Sequence, residues 1–122
     1  MENFKQTLIK RIYNYCLNII KFADKANKKD YSILIIIKQL IRSATSIGAN
    51  VIEAQAASSK RDFINFLNHA LKSANESKFW LGLLKYSRKG DSTECEKLLN
   101  ETIELAKIIA SSILTLKGKK NF

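Results

Sequence analysis

A chain of 122 residues with a formal net charge of +10 is long enough to bury one core, and basic enough to favour anionic partners. It has no proline and only four glycines, too little punctuation for a fold of strands and turns but enough for long helices. Two cysteines far apart and a single histidine give no metal-ligand spacing, so neither a metal nor a cofactor is expected.

The first predicted helix runs from about Asn3 to Asn27. At about 100° per residue it gathers Leu8, Ile12, Tyr15, Cys16, Ile19, Ala23 and Ala26 on one face. Opposite that stripe, Lys10, Lys21, Lys25 and Lys28 form a column with Asn14 and Asn18 between them. Arg11 and Lys29 border the column, and Asp24 is the one acid nearby. The run Lys28, Lys29, Asp30 breaks the helix, with Asp30 as N-cap of the next.

The second helix spans about Tyr31 to Ala57, with Ile33, Ile37, Leu40, Ala44, Ile47, Gly48 and Val51 as its core face. Its other side repeats Gln39, Arg42, Ser46, Ala49, Asn50 and Glu53 at steps of three or four. Small and polar residues there fit either a second packing surface or plain solvent. Ser59 caps a third helix, about Lys60 to Arg88, whose core face is Phe63, Phe66, Leu67, Ala70, Ala74, Ser77, Leu81 and Leu84. Asn65, His69, Lys72, Glu76 and Phe79 share a second face, flanked by Trp80 and Tyr86. Phe79 and Trp80 are expected to point away from the core, as an interface or under the chain termini. Gly90 is the expected C-terminal glycine of this helix and Ser92 the N-cap of the fourth, about Thr93 to Lys117. Leu98, Leu99, Ile103, Ala106, Ala110 and Ile113 are its expected core positions. The tail, residues 117–122, adds Lys117, Lys119 and Lys120.

Connections this short make neighbouring helices antiparallel, so the expected fold is all-α, one up-down-up-down four-helix bundle over residues 1–122. With the turn centred near Ser59, residues of the second and third helices whose numbers sum to about 118 lie level. Arg42 then meets Glu76 as an ion pair, and Ser46 sits level with Lys72.

Catalytic patterns are sparse. His69 is the only imidazole, and Arg61 stands too far from it for the Arg-x4-6-His motif of helical ribonucleases. A non-catalytic role is therefore expected. The opening residues lack the basic-then-apolar order of a secretory signal, and unpaired cysteines suit a reducing compartment, so a cytoplasmic location is expected. The longest apolar run, Ile33 to Ile37, is too short to cross a bilayer. The charge has two readings: a nucleic-acid partner, RNA or DNA, bound by Lys10, Arg11, Lys21, Lys25, Lys28, Lys29, Lys117, Lys119 and Lys120, or the lysine-rich usage of an AT-rich coding sequence.

The stretch Gln39 to Glu53 resembles the signature of the 23S rRNA intervening-sequence protein family, roughly Q-x-x-R-A/S-A-x-S-I-x-x-N-I-x-E-G. Phe63, Phe66, Leu67, Ala70, Ser73 and Glu76 are similar to that family's F-x-x-F-L-x-x-A-x-x-S-x-x-E pattern. The resemblance implies a four-helix bundle and assembly as a homopentamer. Some relatives are encoded within intervening sequences of bacterial ribosomal RNA genes. A related branch, the accessory variability proteins of diversity-generating retroelements, binds nucleic acid and partners a reverse transcriptase. The alternative role is thus a protein-interaction scaffold. Two departures stand out: Ala54 where the family has glycine, and no Phe-Pro-x-x-Glu before the second helix. Gln39, Arg42, Ser46, Ala49, Asn50, Glu53, Glu76, Phe79 and Trp80 are the residues expected at an oligomer interface, where an odd-numbered ring needs two different patches to meet.

Overall fold

The computed structural model describes residues 3–119, with side chains to Gly118. Four helices account for most of it: α1 (Phe4–Asp24), α2 (Tyr31–Gln55), α3 (Lys60–Tyr86) and α4 (Ser92–Lys119). Among the described residues there is no strand.

Local chemistry sets the helix starts. Asn3 opens α1 with a reciprocal capping box, its side chain accepting from Gln6 N while Gln6 Oε1 accepts from Asn3 N. Asp30 accepts from Ile33 N and Ser59 from Asp62 N, as expected of caps for α2 and α3. The start of α4 differs from expectation. Asp91, not Ser92, accepts from Glu94 N, because the helix begins one residue earlier. Gly90 does not provide the left-handed turn after α3 either. Arg88 does, at φ 60°. Gly90 instead gives room to its neighbours: a Cβ there would lie 3.0 Å from Cys95 Sγ and 3.4 Å from Leu84 Cβ, a tight fit.

The helices pack as a ring, each against its sequence neighbour and α1 against α4, with α2–α3 the most extensive pair. Contacts fix the directions. Ile12 and Cys16 of α1 meet Gly48 and Ala44 of α2; Phe4 lies near Ser112, while Phe22 lies near Glu94. Neighbours therefore run antiparallel, giving the up-down-up-down bundle.

One apolar core holds Ile12, Tyr15 and Ile19 with Leu40, Ile47, Val51, Leu81, Leu84, Leu105 and Ile109. Each large aliphatic buried there stabilises by about 1.5–3 kcal/mol. The α2 stripe is the one expected. In α1, Phe22 is buried as well, while Leu8 and Cys16 are half-buried, as is Ala26 just beyond the helix end. The α4 stripe is turned by roughly 60° from expectation. Leu98, Ala106 and Ile113 are buried, but Leu105, Ile109, Cys95 and Thr102 replace Leu99, Ile103 and Ala110 as their companions. Thr102 enters the core because its hydroxyl bonds Tyr15 Oη at 2.6 Å and donates to Leu98 O at 2.7 Å. Burial pushes the Tyr15 phenol up to about 12.

By length and composition α2 is apolar enough to cross a membrane, contrary to the reading from its longest apolar run. Its apolar side is the bundle core, and Gln39, Arg42, Ser43 and Ser46 interrupt its middle.

Candidate functional site

The α2–α3 seam is a polar ladder built from the signature residues. Ser43 and Ser77, both fully buried, share a hydrogen bond of 2.8 Å. One turn on, Ser73 Oγ donates to Ser46 Oγ at 2.9 Å, and Asn50 Nδ2 donates to Ser46 O at 2.9 Å. Arg42 bonds Gln39 Oε1 and pairs with Glu76, the expected ion pair. Ser46 meets Ser73 and not Lys72, because the intervening 100° turns Lys72 outward. Trp80 does not face away as its sequence position suggests. It is half-buried against the core, and its Nε1 donates to Glu76 Oε2 at 2.8 Å.

The residues expected to form one outer surface thus fall into three places. Arg42–Glu76 and Ser46–Ser73 join α2 to α3, while Gln39, Asn50 and Trp80 bond these residues from within their own helices. Phe79 stays 57% exposed beside them. Ala49 and Glu53 turn to the other side of α2, where they line a groove of about 370 Å³ with Ile12, Tyr13, Cys16, Thr45, Gly48 and Ile52. Tyr13, Leu17 and Ile20, at i, i+4 and i+7 of α1, are exposed along this side. Sequence reading missed that column, although three large apolar residues outside the core stripe were its signal. The groove exists because α1 and α2 cross closely: a Cβ on Gly48 would meet Ile12 Cγ2 at 3.0 Å.

The basic column of α1 is shorter than expected: the helix ends at Asp24, so Lys10 and Lys21 lie on it, Lys25 is its C-cap, and Lys28 and Lys29 lie in the turn to α2. Lys10, Lys21, Lys25, Lys28 and Lys29 are exposed. Lys28 Nζ donates to Asp24 O, and Lys21, Lys25 and Lys29 have no carboxylate partner among the described residues. Arg11 leaves the column. Its guanidinium forms two 2.7 Å bonds to Glu101 of α4, which raise its pKa and lock it between helices. Other acids are also engaged away from α1: Glu96 with Lys85, Asp30 with Lys89 and Glu104 with Lys107. Lys117 is exposed at the far end of α4; the Lys119 side chain and Lys120 lie outside the described residues. His69 is exposed on α3. Among the described residues, no three His, Cys, Asp or Glu side chains group as metal ligands.

The family model for the 23S rRNA-intervening sequence protein matches residues 5–111, nearly all of the bundle. The chain belongs to that family. One solved structure superposes with a TM-score of 0.80 at 36% identity, covering 87% of this chain and 97% of its own. It is the crystal structure of a protein of unknown function from the S23 ribosomal protein family of Bacteroides thetaiotaomicron VPI-5482. No curated protein matches.

Within this intervening-sequence fold the two departures have local explanations. Ala54 is buried, and α2 continues one residue past it to Gln55. Asp30 supplies the α2 N-terminus by side-chain capping, where a proline would have fixed φ. The α2 N–H of Ile33, then Lys89, hold the Asp30 carboxyl at about 2.

Proposed function

We propose that this family member is a non-catalytic protein that binds nucleic acid through its phosphates, with the exposed lysines at the end of α1 and in the turn after it as the main contacts. The observation that carries this reading is the distribution of charge. Glu101, Glu96 and Asp30 engage cations between elements, while Lys21 in the last turn of α1, its C-cap Lys25, and Lys29 in the turn that follows stand exposed without such partners. Clustered lysine ammonium groups match phosphates by charge and carry no sequence code. The test is a titration of RNA and DNA against salt, with wild type and a variant carrying Lys21, Lys25, Lys28 and Lys29 all as glutamine. The expected result is weaker binding to both, with a log–log salt slope flatter by roughly 0.7–0.9 per lost contact. Equal affinity and slope in the two proteins would leave the column a solubility feature only.

A second, compatible reading is self-association into a closed ring, five-membered by the family resemblance. The α1–α2 groove favours it: Tyr13 is 60% exposed beside the small residues Gly48 and Ala49, and Leu17, one turn further along α1, is 51% exposed. Covering that apolar area leaves the neighbouring lysines at the rim, where several copies would add avidity. Light scattering tests it. A multimer that Ala49→Arg dissociates supports the groove as an interface; a wild-type monomer removes the reading.

A further inference from the structure

The outward side of α3 bears residues that neither the bundle nor the α1 lysines explain. Arg61, Asn65, Asn68, Lys72 and Asn75 recur at steps of three or four, directly opposite the buried Ala70, Ala74 and Ser77. The same line continues through Phe79, Leu83 and Tyr86. All but the half-buried Asn68 are exposed. A solvated helical face normally carries glutamate and lysine. Here three asparagines, poor helix formers, occupy it without a packing reason.

We propose that this face of α3 is a platform for single-stranded nucleic acid, with bases stacked on Phe79 and Tyr86 and phosphates held by Arg61 and Lys72; the inference rests on the nucleic-acid reading above. Charge supports this occupant. The only acids of α3 are Asp62 and Glu76. Glu76 is paired with Arg42 and bonded by Trp80 at the seam, and Asp62 lies in the first turn, about 100° around the helix from Arg61, so neither stands on this line of residues.

The aromatic end is ordered before any ligand arrives. Trp80 is fixed by Glu76 and by the core, and the Phe79 ring packs edge-on against it, centroids 4.9 Å apart and planes at 65°. The rest of the Phe79 ring is open to solvent. Tyr86 is 78% exposed, and Lys85 Nζ, ion-paired with Glu96 of α4, lies 5.3 Å from its ring centre. Phe79 and Tyr86 are two helical turns apart, about 10 Å along the axis, a span that a few unpaired nucleotides can bridge. In a duplex the faces of the bases are already stacked on one another, so only unpaired bases gain from exposed rings. Asparagine amides both donate and accept, as base edges do.

The experiment is fluorescence anisotropy on the full chain with labelled dT and U 20-mers and a mixed-sequence 20-base-pair duplex. The proteins are wild type, Phe79→Ala with Tyr86→Ala, Phe79→Trp, and the α1 lysine variant. Loss of both rings should weaken single-strand binding by about tenfold per ring and leave duplex binding within about twofold. Phe79→Trp should preserve or tighten single-strand binding. Both side chains are exposed, so helicity and melting should hold. Unchanged single-strand affinity in the double variant, or equal losses on both ligands, overturns the inference. A drop in mass by light scattering without a single-strand effect also overturns it and assigns the face to a second copy. If wild type binds neither ligand at low salt, the nucleic-acid reading itself fails. If it binds both and only the α1 variant weakens, the platform alone is wrong.

Discussion

The buried Ser43–Ser77 contact gives the most direct test of how the signature residues work. Ser77 Oγ donates to Ser73 O at 2.9 Å, so the proton in the 2.8 Å contact between the two hydroxyls comes from Ser43. The other acceptor open to Ser43 is Leu40 O, at 3.3 Å. Ser77→Ala therefore strands a fully buried donor on a poor partner and should cost about 1.5 kcal/mol. Ser43→Ala leaves Ser77 bonded to Ser73 and should cost only about 0.5–1 kcal/mol. The double variant strands nothing and should cost no more than about 1 kcal/mol, leaving a coupling near 1 kcal/mol. Urea unfolding followed by circular dichroism, at one fixed protein concentration, resolves this. With a slope of about 1–3 kcal/mol per molar, the predicted differences move the midpoint by several tenths molar. Single-variant costs that simply add, within ~0.5 kcal/mol, would refute the inter-helix bond as the reason for two serines in the core.

Three further outcomes follow from the same geometry. A methyl group added at Gly82 would meet nothing within 4 Å, so Gly82→Ala should stabilise by about 0.5–1 kcal/mol; Gly48→Ala should lose that gain to Ile12 and Cys16 and end neutral or up to ~2 kcal/mol worse. Equal stabilisation by both in urea unfolding would deny the close α1–α2 crossing. Arg11→Gln should cost about 0.5–1 kcal/mol, discounted because the pair is about a third exposed, and leave nucleic-acid affinity unchanged. A loss of affinity matching that of a column lysine would return Arg11 to the binding surface. Asp30 should titrate at about 2 by carboxyl NMR, and Lys89→Gln should raise that value only part of the way to normal, since the Ile33 N–H is the larger cause. Its carboxyl is depressed in the folded state, so its contribution is present above the unfolded value near 4 and lost as pH falls toward 2. A wild-type midpoint near 4 would contradict the capping geometry.

Periodicity and caps determined the four helices, because the 3.6-residue repeat and Asp30 or Ser59 act within a few residues of chain. The antiparallel register of α2 and α3 was also legible. A short turn makes residue numbers sum to a constant, which paired Arg42 with Glu76 34 residues away. The same angular arithmetic placed Lys10 and Lys21 on α1 but not Lys25, Lys28 and Lys29, because the helix ends at Asp24. Rotation of α4 was not legible. Apolar residues cover more than one side of that helix, and a wide stripe names no unique inward direction. The Tyr15–Thr102 bond chose it, by admitting a hydroxyl that an apolar count had excluded. Only packing could take Arg11 out of the basic surface, since Glu101 lies 90 residues away on a helix not adjacent in sequence. Only packing, likewise, could separate Phe79 from Trp80: neighbours in the chain sit 100° apart on a helix, and the seam claimed one ring while leaving the other in solvent.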